Sequence, residues 1–371
     1  MYLNSLLIFK VIVDSFVSIR LAGLFYSFAL LFFIFSKRWR IERTKMQAIV
    51  CFFVIVAAFF TPIRMEFKGV AIFLFVFLAL SIRPKMIERF SFNSVFVIGT
   101  CFLVLMTNIF LSKVFLAERQ FFSFEHANIL GSYILCLSPM ILMLERRYIP
   151  LAVFSMIFLC YLSTSGGAFI SSFLLFFLLP SSLLLRVIFI IVPMLVVFVF
   201  INPTVVDAVL VKLYYPYLFF KHVGFSSIYD AVQSRSGVVD FGVGLDNSFV
   251  WRIYAYTMFL SAYFESSVFE MILGRGWGGY KDVWSGAMPH NDLILILIDF
   301  GFVGFFLTVT LFFVFIRKRV AIDKRYAVLA IIICLRLFFE NNINSFYLVS
   351  TFFIFDLVFV NKRKYANSLG N

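Results

Sequence analysis

The sequence predicts an all-α polytopic membrane protein, a bundle of about 12 spans interrupted by one long loop. Three observations carry this. Of the 371 residues, 63% are hydrophobic and only 14% charged, with a mean hydropathy of +1.02, far outside the range of soluble domains. Apolar runs recur at the length that crosses a hydrocarbon core of roughly 30 Å at about 1.5 Å per helical residue. Basic residues gather in short clusters between those runs and alternate with loops poor in Lys and Arg, as the positive-inside rule requires.

The clusters are Lys37 to Lys45, Arg83 to Arg89, Arg146 and Arg147, Arg317 to Arg325, and Lys362 to Lys364. They account for the net charge of +13 without any nucleic-acid partner. Taken as cytoplasmic markers, they set spans near 3–19, 21–36, 46–62, 69–82, 93–112, 127–144, 149–164, 167–179, 186–201, 291–316, 326–342 and 345–361. Twelve crossings put both termini in the cytoplasm. Lys10 and Asp14 interrupt the first span, which is alternatively an interfacial helix. The eighth is short for a full crossing and is alternatively tilted or re-entrant. Each of the five cysteines lies in an apolar run, which argues for buried thiols rather than a disulfide framework. The N-terminus runs into the first span with no small-residue cleavage site, so no signal peptide is expected.

The chain divides into spans one to nine (1–201), a long extracytoplasmic loop (202–289), and spans ten to twelve with a cytoplasmic tail (290–371). The loop is too long for a casual connection. It holds three of the four tryptophans, Trp251, Trp277 and Trp284. Aromatic faces with polar tips, such as Trp277, Tyr256 and Tyr280, suit sugar rings; the same residues also mark membrane interfaces. Residues 251–264 read as an amphipathic helix lying on the membrane, with Arg252, Tyr256, Phe259 and Tyr263 near one face.

Three polar groups in and beside this loop carry chemistry. Arg252 offers a guanidinium fork that suits phosphate oxygens, or else an anchor to lipid headgroups. The run Gly274-Arg275-Gly276-Trp277-Gly278-Gly279-Tyr280 lacks the Lys-Ser/Thr of a P-loop. Gly274 and Gly276 in it allow close backbone approach to a ligand or a tight turn, and Arg275 is a second phosphate candidate. His290 and Asn291 open the tenth span, where a lone His is either structural or a proton acceptor. The three histidines lie far apart, so no metal site and no cofactor is expected.

The string His290-Asn291, nine residues, Gly301-Phe302-Val303-Gly304 resembles the His-Asn and Gly-x-x-Gly pattern of the bacterial O-antigen ligase and polymerase superfamily. The order Arg252, then Gly274 and Gly276, then His290 resembles that family's too. Phe124 to Asn128 is similar to its polar helix entry, and Ser163 to Ala168 to its Ser-Arg-Gly-Ala turn, except that Gly166 stands where the family often has Arg. The resemblance covers roughly residues 120–305.

It implies a metal-independent glycosyltransferase of the bacterial inner membrane that acts at the periplasmic face on undecaprenyl-diphosphate-linked oligosaccharide. In this reading Arg252, with Arg275, stabilises the departing diphosphate. His290 takes the acceptor's proton, since an imidazole titrates near neutrality at about 6.5, and Asn291 holds the ring or bonds a sugar hydroxyl. Direct displacement inverts the anomeric centre. An O-antigen polymerase is favoured over a ligase to lipid A core by the Phe- and Ile-rich composition, a mark of AT-rich polymerase genes. Implied partners are the lipid bilayer and the pathway's chain-length regulator and flippase. A lipid-linked oligosaccharide flippase is the alternative of another class, disfavoured because the spans read as nearly free of charge. Arg336 and Glu340, one turn apart, line the same cavity or simply pair with each other.

Overall fold

A computed structural model describes residues 2–16, 25–30, 72, 75, 76, 79, 93–116, 121, 122, 124, 126–179, 221, 228–230, 232, 247–284, 288–340, 342 and 345–369. The described residues are all-helical, at 83% helix, with no strand among them. The predicted spans at 46–62 and 186–201 lie outside the described residues, as do most of 21–36 and 69–82. The chain forms two compact units, one of residues 1–179 with 306–371 and one of 180–305.

In the first unit, α1 (Tyr2–Phe16) packs along α2 (Ser94–Phe115). Asn93 caps α2, its side-chain oxygen accepting from the Phe96 amide at 3.1 Å. The helix buries Val97, Cys101, Leu105, Asn108 and Ser112 while Leu103, Phe110 and Val114 face outward. α3 (Ala127–Cys136) is shorter than its predicted span. Pro139 cannot donate to a continuing helix, and the chain tightens into a 3₁₀ turn, Ser138–Met143. α4 (Ile149–Leu162) follows. α5 (Gly166–Ser172), capped by Ser165, also passes into a 3₁₀ turn, Phe173–Leu178. The later elements are α6 (Asn247–Phe264), α7 (Val268–Leu273), α8 (Tyr280–Val283), α9 (Asp292–Ile322), α10 (Tyr326–Phe339) and α11 (Phe346–Leu369). Among the described residues two helices, α2 and α9, are long and apolar enough to cross a membrane, and five shorter apolar helices accompany them.

Charge is buried inside this unit at the expected Lys10, Asp14 and Arg336 and also at Asp356, which the reading of nearly charge-free spans did not single out. Lys10 forms an ion pair with Asp14, whose carboxylate also accepts from Tyr133 at 2.8 Å and Thr351 at 3.1 Å. Asp356 of α11 takes a bidentate bond from Arg319 and a third from Tyr326 at 2.8 Å. Arg336 donates to Ser132 at 2.7 Å and lies 3.9 Å from Glu340, the predicted partner. Its Nη1 also stands 2.8 Å from where a Cβ on Gly167 would be, so a guanidinium from α10 lies against the first turn of α5. A buried polar group needs such partners because it has left water. The four described cysteines are free thiols.

Asp323 lies outside the apolar helices, in the connection between α9 and α10. Burial alone pushes its carboxyl up. The Arg325 side-chain and backbone bonds, at 2.7 to 3.0 Å, and the Arg363 guanidinium at 3.0 Å outweigh burial and hold it below its ordinary value of 3.8. A carboxylate depressed in the folded state stabilises above its unfolded value, and that stability is lost as pH falls through the folded value. The melting temperature of wild type should therefore exceed that of Asp323→Asn by a constant margin from pH 7 to pH 5 and by a shrinking one below about 4.

Candidate functional site

The second unit is organised around the break in α9. Gly301 sits at φ +63° and ψ −170° inside an otherwise continuous helix. A left-handed residue there interrupts the i to i−4 ladder and frees carbonyls one turn earlier. Two are taken up by the glycine run: the Arg275 amide donates to Ile298 O at 3.0 Å and the Gly276 amide to Asp299 O at 2.8 Å. Gly274, at φ +81°, ends α7 at the same junction. A Cβ on Gly274 would stand 2.4 Å from Asp299 O, and one on Gly301 2.4 Å from the Gly274 amide nitrogen. Two backbones touch here with no room for side chains.

Asp299 locks the junction. Its carboxylate is buried and accepts from the Gly278 amide at 3.0 Å and the Tyr280 amide at 3.1 Å. Successive amides in such a turn form an anion-binding nest, and here the protein's own carboxylate fills it. Of the candidates in this run, Gly274 and Gly276 thus serve the fold, and Trp277 and Tyr280 are buried, the former with its ring 5.6 Å from Phe300. Arg275 turns to the end of α6, donating to Ser266 Oγ at 2.7 Å with Glu270 at 4.0 Å. Asp299 itself escaped the sequence reading because it lies within an apolar run; an acid inside a span was the available signal.

α6 does not present the face expected to lie on a membrane. Ala255, Phe259 and Tyr263, spaced one turn apart, are buried against Tyr280, Ile294, Leu295 and Ile298. That core fixes α6 beside the start of α9. There Asn291 caps α9, its side-chain oxygen accepting from the Leu293 amide at 2.9 Å and the Ile294 amide at 3.2 Å.

His290 precedes the cap with φ +49°, a conformation that costs a non-glycine residue about 1–3 kcal/mol and persists only where its surroundings impose it. Tyr256 helps to impose it, its hydroxyl donating to His290 O at 3.1 Å. Trp251 meets the imidazole edge-on at 4.8 Å and stacks on Trp284 at 5.8 Å, which Tyr254 also abuts. Trp251 and Tyr256 therefore bracket His290 from one helix. Arg252 follows Trp251 and lies one turn before Tyr256, on the same side of α6. Nδ1 of His290 and Nε of Arg252 are both closed off from solvent. The structure thus brings together His290, Tyr256 and two tryptophans, with Arg252 one turn before Tyr256 on α6, while Asn291 caps α9 and Arg275, Trp277 and Tyr280 belong to the glycine-run junction. An imidazole can accept a proton and a guanidinium can steady a developing negative charge.

Gly301→Ala and Gly274→Ala should each cost about 1–3 kcal/mol from backbone strain alone. In thermal unfolding both variants should melt below wild type, with protease cutting appearing first between residues 264 and 290; wild-type melting of either would remove the junction from this role. No protein-family model matches the chain, and no curated protein matches it.

Proposed function

We propose that this chain is an O-antigen polymerase of the bacterial inner membrane, joining undecaprenyl-diphosphate-linked repeat units at the periplasmic face. The single observation that carries the reading is His290, held in a costly backbone conformation by Trp251 and Tyr256 with Arg252 alongside. Strain imposed on a titratable residue at a helix entry is a mark of a working site. The likeness of His290-Asn291 and Gly301 to Gly304 to the ligase and polymerase superfamily supports the same chemistry.

In the proposed step, the acceptor's sugar hydroxyl attacks the anomeric carbon of the donor glycan. Its proton passes to His290. The bond from that carbon to the phosphate oxygen breaks, and the diphosphate leaves with the bonding electrons. Arg252 offsets the charge that gathers on it, and displacement from the opposite face inverts the anomeric centre. Trp251 and Trp284 supply flat faces for the sugar rings. Both termini lie in the cytoplasm in this reading, and a chain-length regulator and flippase of the same pathway are its partners.

The buried pairs Lys10–Asp14 and Arg336–Glu340 favour a second reading, a flippase for the same lipid-linked unit, since ionisable groups inside spans commonly mark transport paths. Surface-glycan electrophoresis of a deletion strain separates the two: loss of a polymerase leaves one repeat unit on the surface, and loss of a flippase leaves none.

His290→Ala should lower chain extension by about 10²- to 10⁴-fold at normal membrane levels of protein. A full ladder of glycan lengths from that variant would remove the base assignment. Arg252→Lys should fall within about tenfold of Arg252→Ala, because a point charge cannot bond two phosphate oxygens at once. Wild-type extension by the Lys variant would reduce Arg252 to an anchor for lipid headgroups.

A further inference from the structure

In the second unit, α7 carries an exposed apolar patch. This six-residue helix, Val-Phe-Glu-Met-Ile-Leu, buries none of its residues. Phe264, Val268, Phe269 and Ile272 are 46 to 70% exposed and run along the end of α6 and α7, Val268 four residues after Phe264 and Ile272 three after Phe269. Four large apolar side chains gathered on so small an element exceed the scattered exposure that water tolerates. Glu265 and Glu270 lie among them in sequence, and Ser266 and Arg275 close the end of α6.

The backbone fixes the depth of this patch. A Cβ on Gly301 would stand 2.5 Å from the carbonyl carbon and oxygen of Ile272, so the last turn of α7 is level with the break in α9. Immediately past that break, Phe302 and Val303 are themselves exposed, as lipid-facing residues of a membrane-crossing helix are. Ile316 is the last apolar residue before Arg317, Lys318 and Arg319. A hydrocarbon core of roughly 30 Å takes about 20 helical residues, which, counted back from Ile316, end near Ile296. Gly301 then lies about 7 Å inside the opposite hydrocarbon edge. That is within the depth of about 5–10 Å to which interfacial helices sink their apolar faces.

We infer that α7, with Phe264, is a wedge seated in the acyl-chain layer of the leaflet opposite the basic clusters, its apolar side chains continuous with the lipid-facing residues Phe302 and Val303. The occupant of this surface is bilayer lipid. Irregular backbone at such a depth must have its amides satisfied within the protein, and the bonds from Arg275, Gly276, Gly278 and Tyr280 to Ile298 and Asp299 do so. This inference stands on exposure and depth and is independent of the glycosyltransferase reading.

The test is photolabelling of the wild-type chain in phosphatidylethanolamine–phosphatidylglycerol vesicles. Two phospholipid probes are compared, one with a diazirine midway along an acyl chain and one with it on the headgroup, and adducts are mapped by mass spectrometry. The acyl-chain probe should mark residues 264–272 together with Phe302 and Val303. Labelling of 264–272 by the headgroup probe alone, or by neither probe, would overturn the inference, the latter placing a protein partner on the patch. Val268→Lys combined with Phe269→Lys should cut the acyl-chain adducts at 264–272 by roughly tenfold, since a lysine resists the hydrocarbon, with Phe302 and Val303 still labelled. Undiminished labelling of the double variant would equally overturn it.

Discussion

The second unit depends on one backbone contact, the seating of the 274–280 turn on the broken turn of α9. It needs Gly301 to open the helix and Gly274 to meet it. It also needs Asp299 to gather the amides that neither helix can use. Everything near His290 is referred to this junction. It sets where α8 leaves the turn, hence where Trp284 meets Trp251, hence the aromatic wall on which the imidazole rests. An unpartnered amide or carboxylate buried at this point would cost about 1–3 kcal/mol, more for the charge, so the contact forms as a whole or not at all.

The sequence carried the class of the fold well and the division of labour among polar residues poorly. Composition and run length sufficed for an all-helical, membrane-type chain because those signals are summed over hundreds of residues. Where helices end was less legible: Pro139 shortens α3, and nothing in the periodicity of 167–179 announces its 3₁₀ second half. The glycine run was recognised as a place of close approach, but what approaches is α9 rather than a ligand. An anion nest looks the same in sequence whether a phosphate or a distant carboxylate fills it. Asn291 was likewise legible as a polar residue at a helix start, and capping, the commonest use of that position, is the use it has.

His290 and Arg252 were singled out on residue type and order, and Tyr256 on aromatic spacing. Their placement could not be read from sequence, because it comes from Ala255, Phe259 and Tyr263, on the same side of α6, being buried against α9. In the first unit, Lys10, Asp14, Arg336 and Asp356 lie inside apolar helices, each with a partner supplied from elsewhere in the chain or one turn away. Such partners are what permit charge in a low-dielectric interior, and they bring the transport reading closer than charge counts alone would.

The central claim is that the strained His290, braced by Trp251 and Tyr256, removes a proton as one lipid-linked glycan is joined to another. The most direct measurement is reconstitution of the purified chain in vesicles with an undecaprenyl-diphosphate-linked repeat unit, products being resolved by length and released undecaprenyl diphosphate quantified. The account predicts one released carrier for each linkage formed by wild type and about 10²- to 10⁴-fold less of both products from His290→Ala. Unit-length glycan with no carrier released by wild type, or equal extension by the variant, would contradict it.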